Sequence, residues 1–239
     1  MPWQLWLPPL REDWANSGRK IEKMKRAAAQ RRNPAYLITG EILQQPFYRA
    51  EGRMSMSKIK VTACGDIEGL KVIEPSVFGD SRGYFMETYN YNDFKEAGID
   101  VQFVQDNQSS SSYGVLRGLH FQIHYPQDKL VRVISGEVFD VAVDLREGSK
   151  TYGKWYGVIL SAENKKQFFI PKGFAHGFVV LSENAEFSYK CSDFYHPNDE
   201  GGLIWNDPDI GVEWPIPADM ELIMSDKDKK WGRFRELQK

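Results

Sequence analysis

Between Val138 and Leu145 the side chains change character at every step. Phe139, Val141, Val143 and Leu145 alternate with Val138, Asp140, Ala142 and Asp144, a period of two that sorts cleanly onto the two faces of a strand. Gly136, in ISGEV, is read as the turn of a hairpin joining LVRVI to VFDVAV. A second apolar run, FFIPKGFAHGFVVL, is broken by Pro171 and Gly173. From Lys58 onward the chain continues in this way, as short strands separated by turn residues. One short helix stands out: Asn92 is placed to cap DFKEAG and Gly98 to end it. Many strands with little helix predict an all-β fold, a closed barrel or jelly roll that leaves few exposed sheet edges.

Composition agrees with that fold. Fourteen Phe and seven Trp in 239 residues suit a pleated surface, on which aromatic side chains pack well. A net charge of −2 gives no reason to expect nucleic acid or an anionic membrane as partner. Cys64 and Cys191 lie far apart without C-x-x-C spacing, as expected of buried thiols in a reducing cytoplasm. The sequence lacks an apolar run as long as the ~18 residues of a membrane span. The opening MPWQLWLPPL has no basic segment before it and is followed at once by Arg11-Glu12-Asp13, a poor signal peptide. The expected location is therefore cytoplasmic.

Residues 1–57 differ from the rest. They carry about twice as many basic as acidic side chains, whereas the remainder is acidic. The segment GRKIEKMKRAAAQRRNP could form a basic helix ending before Asn33-Pro34. It reads either as a nucleic-acid or membrane arm, or as a loosely ordered, partly helical extension or sequence upstream of a start at Met54 or Met56. The absence of a broad apolar face favours the second reading. The expected organisation is an extension over 1–57 and a jelly-roll domain over 58–239.

The chemistry concentrates in VLRGLHFQIHYPQDK, which holds His120 and His124. Cupin barrels that bind a metal resemble one another in an H-x-H pair with a following Glu, then P-x-G-x-x-H. The second motif is present as Pro171, Gly173 and His176, but Gln122 stands where the second histidine of the first would be. A transition-metal site normally needs three or more firm ligands, so no metal is expected. Acid–base chemistry remains, with histidine the natural base near neutral pH. For one histidine alone, a satisfied core residue would be the plainer reading. The basic and amide-bearing residues Arg82, Gln105, Asn107, Arg117 and Lys129 weigh against it. Arg117 and His120 are three apart, so a regular strand would put them on opposite faces. Gly118 between them would tolerate a bulge that turns both the same way.

Six blocks then occur in one order across most of residues 71–215: FGDSRGYFMETYN, FVQDNQSSS, VLRGLHFQ, KLVRVISGEVFDVAVDLR, IPKGFAHGFVVLSE and GLIWNDPDIGVEWP. Together they resemble the dTDP-4-dehydrorhamnose 3,5-epimerase family over about three-quarters of the chain. The resemblance implies a metal-free cupin-type jelly roll without cofactor, acting as a homodimer. The implied reaction turns dTDP-4-dehydro-6-deoxy-D-glucose into dTDP-4-dehydro-L-rhamnose by inverting C3 and C5. It implies His120 as proton acceptor, with Asp228 or, less well matched, Asp226 as its carboxylate partner. Tyr189 is implied as proton donor, and Lys129 is read as stabilising the oxyanion. Nucleotide-sugar contacts are implied at Arg82, Glu87, Gln105, Asp106, Asn107, Arg117, Lys129, His176, Tyr195, Glu200 and Lys227. The alternatives are an epimerase acting at C3 or C5 only, a non-catalytic nucleotide-sugar-binding protein, and a metal cupin.

Overall fold

The period of two becomes a central strand in the computed structural model, which describes residues 58–237. The expected extension over 1–57 lies outside the described residues. In chain order the elements are β1 (Ile59–Ala63), β2 (Lys71–Pro75), β3 (Val77–Asp80), β4 (Gly83–Met86), α1 (Tyr91–Glu96), β5 (Gln105–Ser112) and β6 (Leu116–Gln122). There follow β7 (Lys129–Ser135), β8 (Glu137–Asp144), β9 (Trp155–Ser161), β10 (Gln167–Ile170), β11 (Phe174–Val180), β12 (Asn184–Cys191) and β13 (Glu200–Gly202). Two short 3₁₀ turns, Asp228–Lys230 and Phe234–Glu236, come near the end.

The strands form a six-stranded sheet in the order β1-β2-β10-β7-β12-β5 and a five-stranded sheet in the order β13-β6-β11-β8-β9. The hairpin β3–β4 stands apart as a two-stranded sheet. From β5 to β13 the chain changes sheet at every connection but the one between β8 and β9. This is the jelly-roll path expected from the sequence, and its pairs are antiparallel.

Three apolar layers hold the sheets. Between them lie Val131, Val133, Val138, Ala142, Phe168, Phe178 and Phe187. On the outer face of the five-stranded sheet, Leu119, Val141, Val143 and Ala175 are covered by Leu203, Ile210, Trp214 and Phe234 from the C-terminal segment. Phe94 of α1 packs with Ile73, Ile99, Leu130 and Phe169 on the outer face of the other sheet. Burying each large side chain is worth about 1.5–3 kcal/mol. β8 is thus covered on both faces, and Asp140 and Asp144 belong to its inward set, beside Val138 and Ala142. Among the described residues no helix is long and apolar enough to cross a membrane.

Two local expectations are corrected. Gly136 does not make a hairpin, because β7 pairs with β10 and β12 whereas β8 pairs with β9 and β11. It is the corner at which the chain crosses between sheets. Its φ is +77°, and a β-carbon there would lie 2.0 Å from the Asn184 carbonyl oxygen. The cap of α1 is Asn90, not Asn92. Asn90 has extended backbone, and its side chain accepts from the backbone N–H groups of Asn92 (3.0 Å) and Asp93 (3.5 Å). Asn92 is already inside the first turn, and Gly98 follows the C-cap Ala97, as the sequence suggested.

The corner at Gly136 yields a test. Gly136→Ala is expected to lower stability by roughly 1–3 kcal/mol, the range for forcing atoms into a packed site. A urea midpoint that falls with little change in slope would show it; an unchanged midpoint would mean that the corner relaxes freely.

Candidate active site

His120 owes its direction to the strand that carries it. His176 of β11 pairs with His120, and Phe178 pairs with Arg117. β6 therefore spends three residues where β11 spends two, the bulge anticipated at Gly118. Gly118 has φ +108°, and a β-carbon there would lie 2.6 Å from both Gly177 Cα and the His176 carbonyl oxygen. Arg117 donates from Nε and Nη2 to Ser111 Oγ at 3.3 and 3.1 Å, and its charge acts on Tyr189.

The ring of His120 is held by Asp228, whose Oδ1 meets Nε2. Asp228 is 3% exposed and well supported. Its Oδ2 accepts from Ser225 Oγ at 2.7 Å, its own N–H donates to the same hydroxyl at 3.1 Å, and Trp231 Nε1 donates to Oδ1 at 3.4 Å. Burial alone would raise the pKa of this carboxyl, but the hydrogen bonds from His120 and Ser225 outweigh it and hold the value at about 2. Asp226 is exposed, and the partner of His120 is Asp228. His124, four residues along, turns away to bond Asp199 Oδ1 through Nδ1 at 2.6 Å.

Across from His120, the six-stranded sheet supplies the other wall. Cys191 of β12 pairs with Lys129 of β7 and with Gln105 of β5, and Tyr189 pairs with Asn107. These five residues line, with His120, Tyr195 and Glu200, a cavity of about 230 Å³. Burial pushes the Tyr189 phenol upward, with the nearby Cys191 adding to the shift and Arg117 opposing it. Loss of solvent pushes the Lys129 ammonium downward, while Cys191, Asp140 and Glu200 pull the other way. A larger groove of about 1090 Å³ runs past Phe121, Arg146 and Trp231, but none of the four residues expected to carry the reaction lines it.

The remaining expected contacts divide into two groups. Glu200 Oε2 accepts from Tyr195 OH at 3.1 Å and from Lys227 Nζ at 2.7 Å, and its Oε1 lies 4.0 Å from His120 Nδ1. Gln105 Nε2 donates to Asn107 Oδ1 at 3.0 Å, and Gln105 Oε1 accepts from the Tyr195 N–H at 2.9 Å. His176 Nε2 bonds both oxygens of Asp140, at 2.9 and 3.0 Å. Arg117, His176 and Lys227 do not line the cavity themselves, and three further residues are turned to other partners. Arg82 is exposed at the tip of the β3–β4 hairpin and pairs with Asp80 at 2.5 Å. Glu87 accepts from Lys58 at 3.1 Å, and Asp106, on the outward face of β5, pairs with Lys190 at 2.5 Å.

The sequence reading missed Cys191 and Gln127 in the cavity lining, Ser225 and Trp231 behind Asp228, and Asp140 behind His176. Asp140 left a signal, a carboxylate within an otherwise apolar strand register. Ser225 left a weaker one, in the S-x-x-D spacing. Among the described residues no group of three or more His, Cys, Asp or Glu side chains is placed to hold a metal.

The depressed Asp228 makes a prediction about acid stability. Its folded pKa of about 2 lies below the ordinary 3.8 of an aspartate, so the stability it adds is present above pH ~4 and fades as pH falls towards 2. A shift of that size corresponds to about 2 kcal/mol. Asp228→Asn should be destabilised at pH 7 and should lose less on acidification from pH ~4 to ~2. Parallel acid limbs for the two proteins would show that the pair contributes nothing to folding.

Comparison with known proteins agrees with this geometry. The family model for dTDP-4-dehydrorhamnose 3,5-epimerase matches residues 65–236. The dTDP-4-dehydrorhamnose 3,5-epimerase of Methanothermobacter thermautotrophicus is 58% identical over 170 residues, covering 71% of this chain and 92% of that protein. The crystal structure of the enzyme from Elizabethkingia anophelis superposes with a TM-score of 0.71 at 52% identity, over 75% of this chain and 98% of that one. The epimerase from Legionella pneumophila, solved in complex with dTDP-4-keto-L-rhamnose, gives a TM-score of 0.68 at 52% identity, over 71% and 89% of the two chains. Strand order, the His–Asp pair and these matches lead to one conclusion: the chain belongs to the dTDP-4-dehydrorhamnose 3,5-epimerase family.

Proposed function

We propose that this epimerase converts dTDP-4-dehydro-6-deoxy-D-glucose to dTDP-4-dehydro-L-rhamnose with His120 as base, Tyr189 as acid and Lys129 at the oxyanion. One observation carries the reading: His120 and Tyr189 line the same cavity from different sheets. Removing a proton from one face of a carbon and returning one to the other inverts it, and that requires acid and base on opposite walls.

C3 and C5 both flank the C4 ketone, so loss of either proton leaves an enolate with its charge on the C4 oxygen. His120 takes the proton, and the ionised Asp228 orients the ring and stabilises the imidazolium. Burial keeps the Tyr189 phenol protonated until a carbanion is there to receive its proton. Reduced solvation makes the Lys129 ammonium a stronger acid towards the enolate oxygen; losing one such donor costs roughly 3–4 kcal/mol in other enzymes. Gln105, Asn107, Arg117, His176, Tyr195, Glu200 and Lys227 serve as sugar and nucleotide contacts. A base, an acid and an oxyanion donor complete the chemistry, so the reaction needs no cofactor.

The cavity of about 230 Å³ is below the ~300–1,000 Å³ usual for ligand pockets. It suits the sugar, and the nucleotide then extends past the half-exposed Tyr195. A homodimer accounts for the rest. Arg82 and Glu87 lie outside the cavity of their own chain, next to an exposed apolar hairpin with Phe78 at 63%, Tyr84 at 59% and Phe85 at 69%. We read that hairpin as contacting a second copy and bringing Arg82 and Glu87 to the partner's nucleotide. Residues 58–239 form the catalytic domain in this reading. Two buried free cysteines support a reducing, cytoplasmic setting.

NMR of dTDP-4-dehydro-6-deoxyglucose with the protein in D₂O tests the assignment. Deuterium is expected at both C3 and C5; label at one position alone would select a single-site epimerase. His120→Ala should lose exchange at both. Tyr189→Phe should lose inversion by about 10²–10⁴, the usual worth of a positioned acid, while still exchanging hydrogen with solvent. Normal inversion by Tyr189→Phe would remove Tyr189 from the donor role.

A further inference from the structure

Inverting two centres in one bound sugar makes a demand that inverting one does not. His120 must take a proton twice and Tyr189 must give one twice, so His120 has to be emptied between the two events. Tyr189 belongs to the other wall and does not serve as the exit. Nε2 of His120 is closed off by Asp228. Nδ1 is left as the nitrogen that takes the substrate proton, and it must also release it.

The carboxylate beside Nδ1 is Glu200, with Oε1 at 4.0 Å. That exceeds a hydrogen bond, and it is a gap that one bridging water or a small side-chain rotation closes. Glu200 is fixed in this posture from behind. Its Oε2 accepts from both Tyr195 OH (3.1 Å) and Lys227 Nζ (2.7 Å), which leaves Oε1 turned towards the base. Backbone pairing holds the same relation, since β13 runs beside β6 with Gly202 opposite His120 and Glu200 opposite Gln122. On its far side Glu200 meets solvent-facing groups: Tyr195 is 50% exposed and the Lys227 side chain 48%. Glu200 thus links Nδ1 to groups that reach water, beside a His120 ring that is itself 26% exposed.

We propose that Glu200 is the proton outlet of His120. After each abstraction the Nδ1 proton of the imidazolium passes to Oε1. The resulting carboxylic acid gives it to water at the cavity mouth, which restores the carboxylate and a neutral imidazole. One proton enters at His120 and one leaves to water, no bond to carbon changes in the step, and the Tyr189 phenolate regains its proton from solvent. The inference rests on His120 being the base and adds to Glu200 a role that contact with the sugar does not require.

The test follows label rather than rate alone. Wild-type enzyme is run first in D₂O; label at neither C3 nor C5 would overturn the epimerase reading and the outlet with it. Substrate deuterated at C3 and C5 is then given to wild type and to Glu200→Gln in ordinary water. Wild type should wash the label out as it inverts. In Glu200→Gln, His120 should hold its deuteron longer and return it, so recovered substrate and singly inverted sugar retain deuterium. The second inversion should slow by about tenfold, less than the ~10²–10⁴ of a positioned proton-transfer group because water partly substitutes. Formate should accelerate Glu200→Ala in proportion to its concentration and leave wild type unaffected. A Glu200→Gln enzyme with raised KM or lower turnover but the wild-type ratio of label retained to centres inverted would overturn the outlet. So would a folded Glu200→Ala enzyme that is indifferent to formate.

Discussion

The contact between His120 and Asp228 spans 108 residues of sequence, and most of the architecture serves to make it. A carboxylate that is 3% exposed is tolerable only when its oxygens are occupied, and Asp228 is met by an imidazole, a hydroxyl and an indole N–H. The segment that delivers it is held by apolar contact rather than by charge. Leu203, Ile210 and Phe234 seal the outer face of the five-stranded sheet, and Asp207 Oδ2 accepts from the Phe234 N–H at 2.9 Å. Covering a hydrophobic sheet and aiming a carboxylate at the base are therefore one act of packing. Loosening that cover would cost stability and reactivity together.

In the proposed mechanism the sandwich also fixes the stereochemistry. A site built on one sheet would place its acid and base on the same side of a substrate lying against it. Here the chain crosses between sheets at Gly136 and again between β10 and β11, so neighbouring stretches of sequence end on facing walls. His120 is then opposed by Tyr189 and Lys129 without any long loop. The bulge at Gly118 supplies the last adjustment, because without it Arg117 and His120 would point to opposite faces of β6. The close approach of Gly177 Cα and the His176 carbonyl to Gly118 shows why no larger residue fits there.

Much of this was legible in the sequence wherever a local rule decides the outcome. Period two marked β8, Pro171 and Gly173 separated β10 from β11, and the three-residue spacing of Arg117 and His120 demanded the bulge that the register contains. The failures share a cause. A glycine with positive φ serves a hairpin or an inter-sheet corner equally well, and only the distant partners of β7 and β8 distinguish them. Asn90 and Asn92 are both capping residues, and the choice falls to the one whose backbone is extended. The choice of Asp228 over Asp226 was no failure, but it too turns on burial, which depends on how the C-terminal segment lies over the sheet. Arg82, Glu87 and Asp106 belong to the same sequence blocks as the cavity residues, yet a single chain keeps them outside it. Sequence blocks record neighbourhood along the chain, and a cavity is lined by neighbourhood in space.

The least economical feature of the barrel is the group formed by His176, Asp140 and Lys129. Asp140 is fully buried and bonded by His176 through both oxygens. Burial pushes Asp140 upward against the pull of His176 and Lys129, and pushes Lys129 downward against that of Asp140. Each charge alone would be expensive in this interior, and even paired ones recover little of the cost of leaving water. Apolar residues of similar volume would give a steadier core, continuous with Val131 and Phe187. What such a core would lack, in the proposed mechanism, is a cation already in place when negative charge develops on the C4 oxygen. A donor held ready needs no reorganisation at the moment of reaction, and in this fold that readiness is obtained by giving up part of the stability that the jelly roll could otherwise reach.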